Sequence, residues 1–490
     1  MMNEDDLPAE ALAVPGCPGC ARLLRRVKKL EEAFRKMETE VRELRDLVLK
    51  LQARLDQNSS NSSKPPSSDP PGKPPPAGRE PSGRKPGGQP GHEGHHRERL
   101  PKECVGRTVT YVPEKCEACG GALSKKSGPR DPAPRWHQVT ELPPLVVEVT
   151  EHQGHGRACG RCGHVTWAEI PAEVRAHVIG PNFAAVLSYL SGRCHESKRT
   201  VQEVAAAVFG ARVSLGAVAH LEREMQAALA PGYTEAKAAV GEAAVKNVDE
   251  TGWFQRGVLR WLWLAATEQA ACFQIHERRG RNGLTALLGE TVKGIVGSDR
   301  WGAYARLALE ARQVCWAHLK RDFQGLIDGG VASAAKTGRR GARVTADLFR
   351  LWGEFKAGTI DRATLQARMA PVRKRMERVL RYGRDGPDPK TARFSKRILK
   401  IYPALWTFVD REGVEPTNNH AERQLRPAVL WRKRSFGNHS EDGCRFTERI
   451  LTAVQTLRLQ GRPVLPYLRE AIVAHRAHSA PPPLILLAEG

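Results

Sequence analysis

The chain has 490 residues, a formal net charge of +23 and 40% hydrophobic residues, which predict two to four domains and an anionic partner, usually nucleic acid. The absence of any apolar run of about 18 residues and the acidic first residues argue against a transmembrane helix and a secretory signal. Eleven cysteines, an odd number, argue against a disulfide framework and for a reducing, cytoplasmic setting.

Residues 22–57 carry a heptad pattern of apolar side chains. These recur at alternating steps of three and four from Val27 to Leu55, with charged residues between them. The pattern predicts a coiled coil and therefore a homo-oligomer; the alternative is a solitary amphipathic helix docked on a core.

Residues 58–101 are rich in Pro, Gly and Ser, have no periodicity and carry more basic than acidic residues. They predict a disordered basic linker.

Residues 102–175 contain two Cys-x-x-Cys pairs, each followed by glycine, formed by Cys116 with Cys119 and by Cys159 with Cys162. Four thiolates supplied by two such turns suit a tetrahedral Zn²⁺ ion. The apolar segment between the pairs, residues 137–158, predicts two strands, so the whole region predicts a zinc ribbon. The alternative is two unrelated surface turns with free thiols.

Residues 180–240 have a helical pattern of apolar residues. One helix is predicted before a turn at Gly210, and a second is predicted to begin near Ser214. The spacing fits a helix-turn-helix that binds DNA with its second helix in the major groove. Two helices that merely pack within a small helical domain are the alternative.

Residues 243–455 predict three antiparallel strands, a short helix, a fourth strand ending at Asp299, and a fifth strand that runs into a helix. This order predicts an RNase H-like α/β catalytic domain, with a helical insertion at about 325–412. Residues 456–490 are expected to be a C-terminal tail region.

Three acids in this domain are the candidate catalytic and Mg²⁺-binding residues. In the predicted topology Asp249 and Asp299 converge on neighbouring strands, and Glu422 arrives on a later helix. Carboxylate oxygens suit Mg²⁺, and two ions can activate the attacking oxygen and stabilise the leaving one. Because side chains alternate along a strand, only one of Asp249 and Glu250 can face the site, and Glu250 is expected to point away. For each acid taken alone there is a structural alternative: Asp249 as a turn residue at the end of a strand, and Asp299 as the N-cap of a helix.

The stretch after Glu422 is basic and is expected to hold DNA phosphates. The expected phosphate-binding side chains are Arg423, Arg426, Arg432, Lys433 and Arg434. Trp431 lies among them and is a candidate for reading a DNA end. His318, near the end of the fifth strand, is a candidate for phosphate contact or proton transfer, with a structural histidine as the alternative.

Several phrases of the sequence together resemble transposases of the insertion-sequence-66 family, over essentially the full length. They are NSSNSSKPPSSD, RKPGGQPGH, VDETGWF, GSDRWGAY, CWAHLKRDF and NNHAERQLRP. The resemblance, to the large DDE subunit, implies that Asp249, Asp299 and Glu422 are the DDE triad. It also implies that Asn418 and Asn419 belong to a functional motif, which makes them candidate DNA-binding residues. The family phrase after the second acid usually reads D-G-Y, whereas Arg300 follows Asp299 here.

We therefore interpret the sequence as a DNA transposase that binds terminal inverted repeats, cleaves a strand and transfers the 3′-OH to target DNA. The expected cofactors are two Mg²⁺ or Mn²⁺ ions and a structural Zn²⁺. The expected partners are double-stranded DNA, a second copy of the chain and accessory proteins of the same element, on the nucleoid in a bacterial cytoplasm. The alternatives are another RNase H-like DNA nuclease and a catalytically inactive, zinc-containing DNA-binding protein derived from a transposase.

Overall fold

A long helix at the N-terminal end is the first element of the structure, which is a computed structural model. It describes residues 18–62, 98–126, 128–129, 131–142, 145 and 147–486. Helix α1 spans Pro18–Leu55. Its heptad side chains from Leu30 to Leu55 are between 48% and 84% exposed, so nothing in the described part of the chain covers the apolar seam. The helix is confirmed, and its pairing with a second copy stays a prediction. Most of the predicted linker, residues 63–97, lies outside the described residues.

The chain divides into a smaller unit, Pro74–Thr150 with Ala206–Ala211, and a larger unit that contains the rest. Strands β1 (Gly156–Ala158) and β2 (Val165–Trp167) form an antiparallel pair in the larger unit. Apart from β1, the described residues between the two cysteine pairs contain no strand, so the prediction of two strands there is wrong. Val139 and Val149 are 78% and 84% exposed, and β-branched residues favour strands only when they have a surface to pack on.

A short helix, α2 (Ala172–Arg175), precedes the region predicted to be helical, residues 180–240. That region contains four helices: α3 (Pro181–Gly192), α4 (Lys198–Phe209), α5 (Leu215–Ala228) and α6 (Ala230–Glu242). The second helix of the predicted helix-turn-helix begins where the sequence indicates. There the Ser214 hydroxyl accepts a hydrogen bond from the Ala217 amide at 3.1 Å, a helix N-cap. Helix α5 buries Val218, Leu221 and Met225. Its binding in a DNA groove stays a prediction.

A five-stranded mixed sheet forms the centre of the larger unit. Its elements are β3 (Val245–Gln255), β4 (Val258–Ala266), β5 (Ala271–His276), helix α7 (Arg281–Leu288), β6 (Ile295–Ser298) and β7 (Arg312–Val314). The spatial order is β5-β4-β3-β6-β7; β3, β4 and β5 are antiparallel neighbours, while β6 is parallel to β3 and to β7. The predicted mixed α/β domain is therefore confirmed. The C-terminal ends of β3 and β6 point the same way.

Residues predicted as a helical insertion follow β7. They contain α8 (Trp316–Asp328), which starts just before them, α9 (Ala332–Lys356), α10 (Arg362–Arg384), α11 (Pro389–Lys400) and α12 (Thr407–Asp410). The returning chain bonds to the sheet edge: the Trp316 indole N–H donates to the Leu405 carbonyl at 2.7 Å, and the Phe408 amide donates to the Gln313 side chain at 2.9 Å. These bonds fix where the chain leaves the insertion.

Three helices complete the chain: α13 (Asn419–Ser435), α14 (Glu441–Leu459) and α15 (Val464–Arg476). Helix α13 packs on β3 and β4, α14 packs on β5, and α15 packs on α3 and α5. The prediction of a tail after residue 456 is wrong. Leu468 and Ile472 of α15 are fully buried in the same core as α3 and α5, and their spacing is that of a helix with one apolar face.

Replacing Leu468 with alanine tests this placement. We expect a loss of about 2–5 kcal/mol in the free energy of unfolding, because the substitution leaves a cavity in the core. Leu465→Ala, on the same helix but 40% exposed, is the matched control, with an expected loss within about 0.5 kcal/mol. Urea unfolding followed by tryptophan fluorescence measures both. Equal losses from the two variants would contradict the packing of α15.

Candidate active site

The three predicted acids lie on three elements of the larger unit. Asp249 is in the middle of β3, Asp299 directly follows β6, and Glu422 is in the first turn of α13. Burial alternates along β3, so Asp249 and Glu250 point to opposite faces of the sheet. Asp249 therefore shares a face with Asn247, which contacts the residue preceding α13.

A buried asparagine docks α13 on this face. The Asn418 side chain donates from Nδ2 to the Val248 carbonyl and accepts at Oδ1 from Asn247, both at 2.9 Å. Its own carbonyl accepts from the amide of Glu422 at 3.2 Å. Gly297 makes the contact possible, because a Cβ there would lie 2.3 Å from the Asn247 amide nitrogen. These bonds hold the first turn of α13, with Glu422, against the strand that carries Asp249.

The carboxylates of the site repel one another. The pKa of Asp249 is raised well above its usual range by burial and then by the charges of Glu250, Asp299 and Glu422. Burial also raises the pKa of Glu422, opposed by Arg321 and reinforced by Asp299. In the described ranges neither Asp249 nor Asp299 forms an ion pair with a basic side chain, although the chain carries a net charge of +23. Unpaired carboxylates at partly buried positions fit a site for divalent cations.

Glu250 has a different environment from its neighbour. Its carboxylate is 1% exposed and accepts a hydrogen bond from the Arg279 Nε at 2.8 Å. It also accepts a hydrogen bond from the Tyr304 hydroxyl. Glu250 is therefore satisfied inside the protein, on the face opposite Asp249, as the alternation rule predicts.

The three acids do not form a closed cage. In the described part of the chain, one group of three potential metal ligands has all its ligand atoms within 4.8 Å of one another, and it consists of Cys315, His318 and Glu422. The sequence alone assigned no role to Cys315. The sequence feature that could have identified Cys315 as a candidate metal ligand is the Cys-x-x-His spacing in CWAH, which repeats the spacing of the two Cys-x-x-Cys pairs.

His318 is uncharged at physiological pH. Burial lowers its pKa to about 3, and the positive charges of Arg321 and Arg300 act in the same direction. Its side chain is 22% exposed. A neutral imidazole does not attract a phosphate by charge, so the predicted phosphate contact of His318 has no electrostatic support.

Four arginines line a cavity of about 370 Å³. The first α13 residue that lines it is Arg423, which follows Glu422 in the sequence. Two of them, Arg423 and Arg426, are on α13 and were predicted to bind phosphate. The other two, Arg193 at the end of α3 and Arg458 on α14, were missed because only the fold brings them beside α13. None of the four has an acidic partner among the residues that the structure describes. The cavity is therefore strongly cationic, and it is lined in part by the helix that carries Glu422.

Three of the residues predicted to contact DNA also make contacts within the protein. Asn418 is 1% exposed, and Arg432 donates from Nη1 to the Gly252 carbonyl at 2.9 Å, which binds α13 to β3. Arg434 forms two hydrogen bonds of 3.0 Å to the carboxylate of Glu196. The DNA contacts of these three residues stay predictions. Asn419 and Lys433, the remaining predicted contacts, are exposed.

Trp431 also belongs to the interior. It is 6% exposed, its ring stacks on His195 at a centroid distance of 5.3 Å, and it packs edge-on against Trp253. The prediction that Trp431 reads a DNA end is therefore wrong. Its position on the inner face of α13, not the charge of its sequence neighbours, determines what it contacts.

Each Cys-x-x-Cys pair forms the same tight turn. In the first, the amide of Cys116 donates to the Gly121 carbonyl at 2.9 Å, and the amide of Gly120 donates back to Cys116 at 2.8 Å. In the second, the corresponding bonds join Cys159 to His164 and Gly163 to Cys159, both at 2.8 Å. The fifth residue of each turn has a positive φ, +70° or +77°, which glycine adopts without strain.

These turns direct backbone N–H groups at sulfur. The pKa of Cys116 is lowered by the amides of Cys119 and Ala118, and that of Cys159 by the amides of Arg161 and Cys162. Stabilised thiolates at this spacing fit the ligand chemistry of Zn²⁺. Each pair by itself therefore has the properties of half a zinc site.

Comparison with known proteins identifies the family. The profile described as Transposase IS66 family matches residues 180–445, more than half of the chain and the part that carries all three acids. The chain belongs to the IS66 transposase family. A family of unknown function, DUF6444, matches residues 21–98. An uncharacterized protein of Sinorhizobium fredii (strain NBRC 101917 / NGR234), y4qI, is 27% identical over 237 residues, and the match spans 43% of each chain.

Membership of the IS66 family places the chain among transposases. It confirms the resemblance carried by the sequence phrases. Within the described ranges, no helix combines the length and the apolar character needed to cross a membrane.

Replacing Asp249 with asparagine tests the charge of the site. A carboxyl group whose pKa is raised by folding makes the protein less stable as pH rises above the unfolded-state pKa of about 4. In Mg²⁺-free buffer at pH 7.5 we therefore expect Asp249→Asn to unfold at a higher temperature than the parent. The difference should shrink as the pH falls toward and below about 4, because the carboxyl group is protonated in both states below that pH.

Millimolar Mg²⁺ should reverse this order, because only the parent gains stability from binding the ion. Glu268→Gln removes an exposed acid from the turn between β4 and β5 and is the control; it should change neither the melting temperature nor its response to Mg²⁺. Identical Mg²⁺ responses of Asp249→Asn and the parent would argue against a metal site at Asp249.

Proposed function

We propose that this IS66-family protein cuts DNA at the ends of a mobile element and joins the freed 3′-OH to target DNA, with Asp249, Asp299 and Glu422 as its catalytic residues. The observation that carries the proposal is the mutual electrostatic influence of three unpaired or weakly paired acids, one of which, Glu422, lies on the same helix as two of the four arginines that line a cavity. The strand order β5-β4-β3-β6-β7, with the first three strands antiparallel, agrees with an RNase H-like fold.

Asp249, Asp299 and Glu422 would hold the divalent ions, Mg²⁺ or Mn²⁺. When bound, such ions polarise the phosphodiester, lower the pKa of the attacking hydroxyl or water, and stabilise the leaving oxygen. The chain itself supplies orientation. Asn418 fixes Glu422 relative to Asp249, and the hydrogen bond from the Trp301 amide to Asp299 at 2.8 Å fixes the loop after β6.

Arg423 and Arg426 would hold the DNA backbone beside the scissile phosphate, joined by Arg193 and Arg458. Guanidinium groups without acidic partners bind phosphate oxygens with charge-assisted hydrogen bonds. The cavity of about 370 Å³ also contains the side-chain amides of Gln424 and Gln455 and the apolar side chain of Leu430. Asn419 and Lys433, both exposed on α13, extend this surface.

The N-terminal parts would bring two DNA ends together. The exposed heptad seam of α1 would pair with the α1 helix of a second copy, which would make the protein a homo-oligomer. Cys116, Cys119, Cys159 and Cys162 would hold one structural Zn²⁺, and the helices α4 and α5 would contribute to the recognition of terminal inverted repeats. Accessory proteins of the same element are expected partners.

Neighbouring acids allow a matched test of the catalytic site. On DNA that carries the element's own terminal repeats, in Mg²⁺ or Mn²⁺, we expect Asp249→Asn to lower cleavage and strand joining by about 100-fold or more, since a metal-bound carboxylate contributes several kcal/mol. Glu250→Gln removes the adjacent carboxylate on the other face and should stay within about tenfold of the parent. Asp299→Asn and Glu422→Gln should resemble Asp249→Asn.

Each other outcome has its own meaning. Cleavage by the parent without strand joining would favour an RNase H-like nuclease. Binding without cleavage, by the parent and by all variants, would favour a catalytically inactive zinc-containing DNA-binding protein. A greater loss from Glu250→Gln than from Asp249→Asn would overturn the assignment of the first acid.

Paired and unpaired arginines allow a test of the DNA surface. We expect Arg423→Gln and Arg426→Gln each to weaken binding to duplex DNA of any sequence and to reduce the slope of log K against log salt by about 1. Arg434→Gln removes the same charge from α13, but Arg434 is bound to Glu196, so its slope should match that of the parent. Fluorescence anisotropy at several salt concentrations measures all three. An equal reduction in Arg434→Gln would show that the net charge alone attracts DNA.

A further inference from the structure

Cys315, His318 and Glu422 lie together at the point where α8 and α13 begin. The sulfur of Cys315, a ring nitrogen of His318 and a carboxylate oxygen of Glu422 are all within 4.8 Å of one another. His318 Nδ1 is 3.9 Å from Glu422 Oε1, and Arg321 is at the same distance from that oxygen. Cys315 is 1% exposed, while the Glu422 side chain is 40% exposed, so the group opens to solvent through its carboxylate.

His318 lacks the partner that a buried ring nitrogen normally has. Its Nδ1 is buried and has no hydrogen-bond partner among the described residues. Leaving such an atom unsatisfied costs about 1–3 kcal/mol, and proteins retain such atoms mainly where a ligand or water binds. A ring nitrogen that carries no proton offers a lone pair that can coordinate a metal ion.

The surroundings of Cys315 repeat those of the cysteine turns. Its sulfur accepts a hydrogen bond from the Asn418 amide at 3.2 Å and further bonds from the amides two and three residues later, of Ala317 and His318. Cys116 and Cys159 likewise receive amides from the residues two and three positions later. The first turn of α8 thus has the same arrangement of N–H groups around sulfur as each candidate zinc turn, with histidine in the place of the second cysteine.

One sulfur, one nitrogen and one oxygen ligand suit Zn²⁺ and related thiophilic ions, whereas Mg²⁺ takes oxygen ligands only. In a tetrahedral zinc site, with bonds of about 2.0–2.3 Å, ligand atoms lie roughly 3.3–3.7 Å apart. The observed separations therefore close with movements of less than about 1 Å. Three protein ligands leave the fourth position for water or a phosphate oxygen.

We propose that Cys315, His318 and Glu422 form a binding site for a thiophilic divalent ion of the Zn²⁺ class, which shares Glu422 with the Mg²⁺ site. The thiol proton of Cys315 is released to solvent as the metal–sulfur bond forms. Occupation of this site holds Glu422 toward α8 and so removes it from the other two acids. The expected consequence, which rests on the proposed function, is that the ion inhibits Mg²⁺-dependent DNA cleavage.

Cobalt provides a direct test of the metal site, independent of activity. The full chain is first given only as much Zn²⁺ as the four thiolates of the cysteine turns take up, which leaves the Cys315 group empty, and Co²⁺ is then added in the absence of Mg²⁺. We expect one equivalent of Co²⁺ to give a thiolate charge-transfer band and the visible absorption of tetrahedral cobalt. Cys315→Ala should abolish the charge-transfer band, and His318→Ala and Glu422→Gln should weaken Co²⁺ binding by about tenfold or more.

Cys444→Ala is the matched control, because Cys444 is also buried but lies on α14, outside the group. It should give the same spectrum as the parent. A band that survives Cys315→Ala in a variant with an unchanged melting temperature would overturn the site. If Cys315→Ala does not fold, survival of the full band in both His318→Ala and Glu422→Gln would overturn it equally.

Inhibition separates this proposal from the proposed function. With millimolar Mg²⁺, micromolar Zn²⁺ should reduce cleavage by the parent and by Cys444→Ala at least tenfold, and should have little effect on Cys315→Ala. If the parent binds Co²⁺ but never cuts DNA, the proposed function fails and the metal site stands. If Zn²⁺ inhibits the parent and Cys315→Ala equally, the sharing of Glu422 is wrong.

Discussion

The side-chain amide of Asn418 donates to the Val248 carbonyl and accepts from Asn247, and the backbone of the same residue bonds to the sulfur of Cys315 and to the amide of Glu422. One buried residue thus joins the strand of the first acid, the helix after the last strand and the helix of the third acid. A buried amide tolerates few alternative arrangements, because each unmade bond costs about 1–3 kcal/mol. The relative positions of Asp249, Cys315 and Glu422 all depend on this contact.

Charge is distributed unevenly around that contact. The basic side chains of α13 are divided between those that bind the protein itself, such as Arg432 and Arg434, and those without an acidic partner, Arg423 and Arg426. The acids are divided in the same way: Glu250 is satisfied by Arg279 and Tyr304, whereas the pKa of Asp249 is raised by burial and then by its acidic neighbours. Acids and arginines without partners of opposite charge therefore remain on separate elements, and the proposed function assigns the acids to cations and the arginines to phosphate.

Periodic signals in the sequence predicted the elements, and long-range contacts determined the roles of individual residues. Strands β3 to β7 were predictable from the sequence, because alternation and turn residues are local signals. The positions of Asp249 in β3 and of Asp299 directly after β6 were predictable for the same reason. The roles of Asn418, Arg434 and Trp431 were not, because Val248, Glu196 and His195, which decide them, are about 170 to 240 residues away. Cys315 was overlooked for the same reason: its spacing to His318 was visible, but Glu422 completes the group only in the fold.

The docking of α13 also has a consequence for the order in which the protein acquires its properties during synthesis. Asn247 and Asn418 are separated by 171 residues, and the helices α9 to α12 must be made between them. A ribosome that has released the chain as far as α12 has produced Asp249, Asp299 and most of the basic residues, but not Glu422. Distant contacts of this kind also form late in folding. A nascent or truncated chain that stops at α12 therefore lacks both Glu422 and three of the four arginines that line the cavity, so the acid set and the cationic surface are completed together by the last part of the chain.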